Sequence, residues 1–135
     1  MKHEMKIKVR FRDTDMLGHV NNSTYFTYME EARIAFVEDV LGNETGQLIL
    51  AAAQVNYRSQ TFFGQTLLVR SWVSRIGNSS FDVACEMADD KTGTVVFDGV
   101  ATVVYFDYET QKSVPIPDFV RDRMQPYVEF AAAKV

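Results

Sequence analysis

Apolar and polar residues alternate along several stretches of the chain, which is the pattern of a β-strand with one buried face. The first stretch runs from Met5 to Phe11, where Lys6, Lys8 and Arg10 separate the apolar residues. Four further stretches are apolar or alternating and predict strands: Leu48 to Arg58, Thr66 to Ile76, Phe81 to Ala88 and Thr94 to Phe106. The pattern therefore predicts a sheet of about five strands.

One long segment has the periodicity of a helix instead. Its apolar residues recur every three to four positions: Tyr25, Tyr28, Met29, Ala32, Ala35, Phe36 and Val40. We predict a helix of about five turns that begins near Asn22 or Ser23, both good N-caps, and stops at Gly42. A second, short helix is predicted around Phe119 to Tyr127.

Short links rich in turn residues connect the later strands: Phe63-Gly64-Gln65, Gly77-Asn78-Ser79-Ser80, and Asp89 to Gly93. Links of this length predict antiparallel hairpins. One long apolar helix beside an antiparallel sheet is an α+β design, in which the sheet can bury the helix by curling around it. The length of 135 residues predicts one domain over residues 1–135.

Composition narrows the class of protein. The net charge of −4 argues against nucleic-acid binding driven by bulk charge. One cysteine and two histidines make a Cys/His zinc site unexpected. Because no apolar run approaches the ~18 residues of a membrane span, and no apolar segment follows the charged N-terminus, we expect a cytoplasmic protein without a membrane span. The sequence has neither a glycine-rich phosphate loop nor a dinucleotide-binding motif, so no metal and no other cofactor is predicted.

The residue types suited to catalysis are concentrated in Asp13-Thr14-Asp15-Met16-Leu17-Gly18-His19-Val20-Asn21-Asn22, between the first strand and the long helix. A helix start offers unpaired backbone N–H groups and the positive end of the helix dipole. A carboxylate beside them can attack a carbonyl, or activate water against it, while the N–H groups stabilise the oxyanion. We therefore predict acyl transfer to water, with Asp15 as the catalytic carboxylate.

Each residue of this loop also has a structural interpretation. Asp15 could bond to its own backbone in an Asx turn, and Asp13 is expected to accept hydrogen bonds within the loop. His19 is either a general acid or hydrogen-bond donor, or a residue that packs at the helix entry. Gly18 is expected to provide a turn or a close approach to a ligand, and Asn21 and Asn22 are expected to cap the helix.

Two further predictions concern the long helix and the single cysteine. One of Glu30 and Glu31 is expected to be solvated, while the other could face the Asp15 loop. Tyr25 is expected in the core or in the wall of a pocket. Cys85 lies on the apolar phase of a strand and is expected to be a small buried hydrophobe.

The same loop, followed by Tyr25 and Glu30-Glu31-Ala32-Arg33, resembles the hotdog-fold acyl-CoA thioesterases of the 4-hydroxybenzoyl-CoA thioesterase family. Nearly the whole chain takes part in the resemblance, which extends to three more segments: Val55-Asn56-Tyr57, Phe63-Gly64-Gln65-Thr66-Leu67 and Ile76-Gly77-Asn78-Ser79-Ser80-Phe81. The resemblance implies a hotdog fold, in which an antiparallel sheet of about five strands wraps around one long central helix.

The resemblance also implies a mechanism and an assembly. Asp15 would be the nucleophile or general base at the thioester of an acyl-CoA, and a backbone N–H of Asn22, Ser23 or Thr24 would polarise the thioester carbonyl. The active site would lie at the interface of a homodimer, often within a homotetramer, and the second subunit would supply pocket wall and coenzyme A contacts.

In some relatives, the coenzyme A phosphates meet a basic cluster just before the strand that corresponds to Phe81. The matching positions here end at Ser79 and carry no positive charge. Ser79 therefore stands as a candidate substrate contact, together with Arg58, Arg75 and Lys112. Two alternatives stay open: a non-catalytic module that binds acyl ligands, and a thioesterase for acyl-carrier-protein substrates. The length or aromaticity of the acyl group does not follow from the sequence.

Overall fold

The computed structural model describes residues 1–42 and 47–130. Residues 43–46 and the predicted domain end at 131–135 lie outside this description. The strands are β1 (His3–Lys8), β2 (Leu48–Tyr57), β3 (Thr66–Ile76), β4 (Ser80–Asp89), β5 (Val95–Asp107) and β6 (Lys112–Ser113). The helices are α1 (Asn22–Phe36) and α2 (Asp118–Met124). The structure thus confirms the α+β fold: an antiparallel sheet curled around one long helix, with a short helix near the C-terminus.

The strands follow the order β1-β3-β4-β5-β2 across the sheet, and β6 pairs with β5. The predicted hairpins between β3 and β4 and between β4 and β5 are confirmed. The hairpin predicted at Phe63-Gly64-Gln65 is wrong, because β1 occupies the position beside β3 and β2 pairs with β5 instead. The link over residues 58–65 passes the start of α1, where the Val20 N–H donates to the Thr61 carbonyl over 2.7 Å.

Helix α1 buries the side that the periodicity predicts. The buried residues of α1 are Tyr25, Tyr28, Met29, Ala32 and Phe36. The sheet comes close to the helix at Gly99, where an added Cβ would lie 3.2 Å from Met29 Cε and 3.0 Å from Val55 Cγ1. The backbone carbonyl of Gln54 would lie 3.1 Å from the same Cβ, so a larger residue at position 99 would have to displace its neighbours in both the helix and the sheet. Cys85 is buried, as expected.

The last turn of the long helix is wider than an α turn. Residues Val37–Leu41 form a π-helix that continues α1, and the Gly42 N–H donates to the Val37 carbonyl. The helical segment ends at Gly42, as predicted. The expected burial of Val40 is not complete, whereas Leu41 is fully buried beside Phe36 in the core. A turn of this kind places the fifth following residue, rather than the fourth, on the same face.

The first strand begins and ends earlier in the chain than the predicted Met5–Phe11. It ends at Lys8, and Phe11–Asp13 forms a 3₁₀ turn that leaves Phe11 79% exposed. The cause is Asp13, whose carboxylate accepts a hydrogen bond from the Arg10 backbone N–H over 3.0 Å and turns the chain away from β1. Near the C-terminus, a 3₁₀ turn at Gln125–Tyr127 follows α2, so that the predicted short helix is confirmed in two parts.

Strand β2 forms one edge of the sheet and is exposed along most of its length. Its residues are predominantly apolar, and Leu50 is 51% exposed. Over the described ranges, neither helix reaches the length and apolarity needed to cross a lipid bilayer.

Candidate active site

The segment before α1 folds into a tight turn. The Asp15 N–H donates to the His19 carbonyl over 2.7 Å, and the Gly18 N–H donates to the Asp15 carbonyl over 3.1 Å. Thr14 and Val20 pair as an antiparallel bridge at its base. Gly18 has a φ of 82°, a conformation that costs other residues free energy. The turn predicted for Gly18 is therefore present.

Asp15 lies exposed at this turn. Its Oδ1 accepts hydrogen bonds from the backbone N–H of Leu17, over 2.8 Å, and of His19, over 3.2 Å. This is the Asx turn of the structural interpretation. Its second oxygen, Oδ2, accepts no hydrogen bond from any residue that the structure describes. Asp15 is thus held in place by one oxygen while the other is available to a ligand.

Asp13 has the opposite environment and is 4% exposed. Its carboxylate accepts hydrogen bonds from the Arg10 backbone and guanidinium, and from the Tyr28 hydroxyl over 2.6 Å. Burial by itself would raise the pKa of Asp13, but the bonds from Arg10 and Tyr28 outweigh it and hold the pKa below its usual range. Burial and the bond to Asp13 raise the pKa of Tyr28. The structural role expected for Asp13 is confirmed.

The start of α1 has one backbone donor that finds no acceptor in residues 1–42 and 47–130. Asn21, not Asn22 or Ser23, is the N-cap: its Oδ1 accepts from the Ser23 N–H over 3.0 Å, and its carbonyl accepts from the Thr24 N–H over 2.9 Å. The Asn22 N–H donates to none of the residues described. Of the three backbone donors expected at this helix start, those of Ser23 and Thr24 are therefore already engaged and that of Asn22 is free.

A cavity of about 260 Å³ lies beside this donor. Its lining includes five residues singled out from the sequence: Asp15, His19, Asn22, Tyr25 and Arg58. Three further residues line the same cavity and were not predicted as site residues: Tyr57, Ser59 and Gln60. The Tyr57 hydroxyl also donates to the Asn22 carbonyl over 3.2 Å. Of these three, only Tyr57 gave a signal, since it belongs to a segment that carries the family resemblance.

His19 packs as well as lining the cavity. Its ring lies edge to face against Phe62, with centroids 5.0 Å apart, and its backbone pairs with Phe62 in an antiparallel bridge. The packing interpretation of His19 is thus confirmed. Its role as an acid or donor stays a prediction.

Arg58 reaches the cavity but is also bound to the sheet. Its Nε donates to Asp98 over 2.8 Å, and its side chain is 54% exposed. Tyr25, on the buried side of α1, donates its hydroxyl to Thr61 Oγ1 over 2.9 Å. Both core and pocket-wall descriptions therefore apply to Tyr25.

Ser79 lies far from Asp15 in the same chain. The neighbouring Ser80 pairs with Val104, whereas Tyr57 of the cavity pairs with Phe97, seven positions away along β5 and thus roughly 23 Å. Of the other candidate cations, Arg75 is bound to Asp82 by two bonds of 3.0 Å, and Lys112 is exposed in β6. No single protomer brings Ser79 and Asp15 together.

The helix carboxylates both lie on the exposed side of α1. Glu30 and Glu31 are both exposed, so the expectation that one turns inward is wrong. The reason is the phase of α1, which turns Met29 and Ala32 towards the sheet. Among the described residues, no cluster of three His, Cys, Asp or Glu side chains has the arrangement of a metal site.

Known proteins resemble this chain over most of its length. The long-chain acyl-CoA thioesterase FadM of Escherichia coli K12 is 25% identical over 131 residues, which cover 93% of this chain and 99% of FadM. The structure of a predicted thioesterase from Bacillus stearothermophilus superposes with a TM-score of 0.89 at 26% identity, covering 98% of this chain and 100% of the other.

A second solved structure is a thioesterase from Thermus thermophilus in complex with coenzyme A and Zn. It superposes with a TM-score of 0.81 at 28% identity and covers 92% of each chain. The model of the Thioesterase-like superfamily matches residues 9–124, which include both the Asp15 turn and the residues around the cavity. This chain belongs to the Thioesterase-like superfamily.

Proposed function

We propose that this protein hydrolyses an acyl-CoA thioester to the free acid and coenzyme A, without a cofactor. The observation that carries the proposal is one cavity whose lining includes Asp15 and Asn22, each of which has a group of the right chemistry without a partner among the described residues. These are the free Oδ2 of Asp15 and the free N–H of Asn22 at the start of α1. FadM and the coenzyme A complex from Thermus thermophilus support acyl-CoA as the substrate.

The Asn22 N–H would act on the thioester carbonyl. It lies at the positive end of α1, where a developing oxyanion is stabilised by the donor and by the helix dipole. A well-placed donor of this kind lowers the barrier by about 3–4 kcal/mol. Asn21 positions this donor, because its cap fixes the first turn of the helix.

Asp15 would act from the other side of the carbonyl, in one of two ways. As a nucleophile, Oδ2 forms a mixed anhydride and expels the coenzyme A thiolate, and water then hydrolyses the anhydride. As a general base, it takes a proton from the attacking water. In both, the bonds from the Leu17 and His19 N–H groups to Oδ1 hold the carboxylate in position. His19 is the candidate for donating a proton or hydrogen bond to the substrate.

We infer that the active unit is a homodimer joined through β2. This edge strand is long, apolar and exposed, which is unfavourable for a free edge. A two-fold axis would pair two copies of β2 antiparallel, so that the Tyr57 end of one lies beside the Leu48 end of the other. Ser79 of the second copy would then lie at the same end of the joined sheet as Asp15, which gives Ser79 a route to the substrate. Two such dimers could form a homotetramer.

A binding module for acyl ligands is the second candidate. The Asx turn favours this candidate, because Asp15 would stabilise the turn even in a protein that does not catalyse hydrolysis. The membership in the 4-hydroxybenzoyl-CoA thioesterase family, a cytoplasmic location and a single domain over residues 1–135 stay predictions.

The test is hydrolysis of a panel of short, medium, long and aromatic acyl-CoA thioesters, followed by release of free thiol. We expect turnover by the wild-type protein and a loss of at least a hundred-fold in Asp15→Asn, which keeps the shape of the side chain but removes its charge. An acyl-carrier-protein thioester is included as a separate substrate. Binding of acyl-CoA without turnover of any thioester would favour the binding module, and equal turnover by Asp15→Asn would exclude the catalytic role of Asp15.

A further inference from the structure

Tyr57, the last residue of β2, joins the edge of the sheet to the start of α1. Its hydroxyl donates to the Asn22 carbonyl over 3.2 Å, although the two residues are 35 positions apart in the chain. No other side chain in residues 1–42 and 47–130 forms a hydrogen bond with Asn22. The residue that carries the candidate oxyanion donor is therefore bonded to the sheet edge through its other backbone group, the carbonyl.

The position of the Tyr57 hydroxyl is set by the packing of its ring. The ring lies edge to face against Tyr25 and Phe97, with centroids 5.6 Å from each. Those two rings are buried and stack on each other with centroids 5.1 Å apart. Because these contacts hold the ring without its hydroxyl, Tyr57→Phe removes one hydrogen bond and keeps the packing.

The stretch of chain that follows Tyr57 holds the turn before α1. The Val20 N–H donates to the Thr61 carbonyl over 2.7 Å, and His19 pairs with Phe62 in an antiparallel bridge. One stretch of six residues thus contacts both halves of the candidate site. Its later part holds the turn with the carboxylate, and its first residue holds the start of the helix. The distance between the two halves therefore depends on this stretch.

This connection bears on catalysis because an oxyanion donor has to be placed accurately. A catalytic group must lie within about 0.5 Å of its productive position, whereas the ends of helices fray. In the first residue of a helix the N–H and the carbonyl point in opposite directions along the axis. A bond that holds the Asn22 carbonyl therefore also limits the movement of the Asn22 N–H.

We propose that Tyr57 is a positioning residue, which acts through the Asn22 carbonyl and holds the Asn22 N–H in place relative to Asp15. In this role the Tyr57 hydroxyl stays on the protein and does not contact the reacting atoms. Its ring forms part of the wall of the same cavity. The inference rests on the function proposed above and adds to it a residue that orients the oxyanion donor.

The first experiment is the steady-state kinetics of Tyr57→Phe with the best acyl-CoA substrate of the panel. We expect kcat to fall about ten-fold, because a donor that is less well placed stabilises the oxyanion less. KM should stay within about two-fold of the wild-type value, since the ring still lines the cavity. The matched control is Tyr108→Phe, which removes a hydroxyl from an exposed tyrosine just after β5 and should change neither constant.

The second experiment needs no substrate. The ¹⁵N order parameter of the Asn22 backbone amide is measured by NMR in the wild type and in Tyr57→Phe. We expect about 0.85 in the wild type, the value of a rigid backbone, and a clear decrease in the variant. The Leu17 amide is the internal control: it donates to Asp15 within the turn, and its order parameter should be equal in both proteins.

An unchanged kcat in Tyr57→Phe would overturn the proposal. A lower kcat with an unchanged Asn22 amide would overturn it as well, because Tyr57 would then donate to the substrate itself. A wild-type protein that hydrolyses no thioester refutes the proposed function, and in that case the order parameter alone decides whether Tyr57 holds Asn22.

Discussion

Asp13 and Asp15 are two residues apart in one loop, yet their environments are opposite. Asp13 is 4% exposed and accepts hydrogen bonds from Arg10 and Tyr28. Asp15 is exposed and, among the described residues, accepts hydrogen bonds from backbone N–H groups of its own turn alone, through one oxygen. The difference shows that the two aspartates of a D-x-D sequence can have separate roles. One carboxylate fixes the loop to the core, and the other is accessible to a ligand.

The largest effect on stability should follow from removing the buried carboxylate. Asp13→Ala leaves the Tyr28 hydroxyl and the Arg10 backbone N–H without their acceptor, so we expect the free energy of unfolding to fall by about 3 kcal/mol. Asp15→Ala, in the exposed turn, should lower it by less than about 1 kcal/mol, because water can replace the lost bonds. Urea unfolding followed by circular dichroism measures both. Equal losses would contradict the division of tasks.

A smaller change in the free energy of unfolding should distinguish a hydrogen bond to a charged acceptor from one to a neutral acceptor. Tyr28→Phe removes a single bond to the Asp13 carboxylate, and we expect a loss of about 2 kcal/mol in the free energy of unfolding. The matched control is Tyr25→Phe, which removes a bond to the Thr61 hydroxyl in the same core and should cost about 1 kcal/mol. The same unfolding assay applies. A larger loss for Tyr25→Phe would mean that the Asp13–Tyr28 bond does not anchor the loop.

The smallest effect concerns pH. The pKa of Asp13 is lowered in the folded protein, whereas an unfolded aspartate has a pKa of about 3.9. The stability that Asp13 contributes is therefore present above about pH 4 and is lost as the pH falls through the folded pKa, because the unfolded chain then binds more protons. The pKa values of Asp82 and Asp98 are lowered as well, so the wild type must be compared with Asp13→Asn.

Between pH 5 and pH 3, we expect the wild type to lose more stability than Asp13→Asn, measured as urea midpoints at each pH. The Asn variant lacks the titrating group and should fall only through the remaining carboxylates. Parallel curves for the two proteins would show that Asp13 titrates alike in the folded and unfolded states.

The sequence predicted features that depend on local spacing. The periodicity of Tyr25, Tyr28 and Met29 gave the buried face of α1, and the structural role of Asp13 followed from its place in a polar loop. The capping role of Asn21 is also local, since its side chain bonds two residues ahead. These features need only the geometry of one helix or one turn.

Features that depend on distant segments were missed. The hairpin rule assumes that successive strands pair. Here β1 pairs with the free side of β3, and β2 pairs with β5 at the opposite edge of the sheet. Ser59 and Gln60 line the Asp15 cavity because the link after β2 passes the start of α1, and Tyr57 lines it from the end of β2. Leu41 is buried through a π-helical turn that periodicity at 3.6 residues does not anticipate.

That five-residue turn also indicates where the length of the chain can change. Because Val37–Leu41 contains one residue more than an α turn needs, a one-residue deletion there would allow the helix to close regularly and still bring an apolar side chain beside Phe36. The adjustment would be confined to the end of the helix that is furthest from Asn22. A deletion of one residue can therefore be absorbed there without a change in the geometry around Asp15.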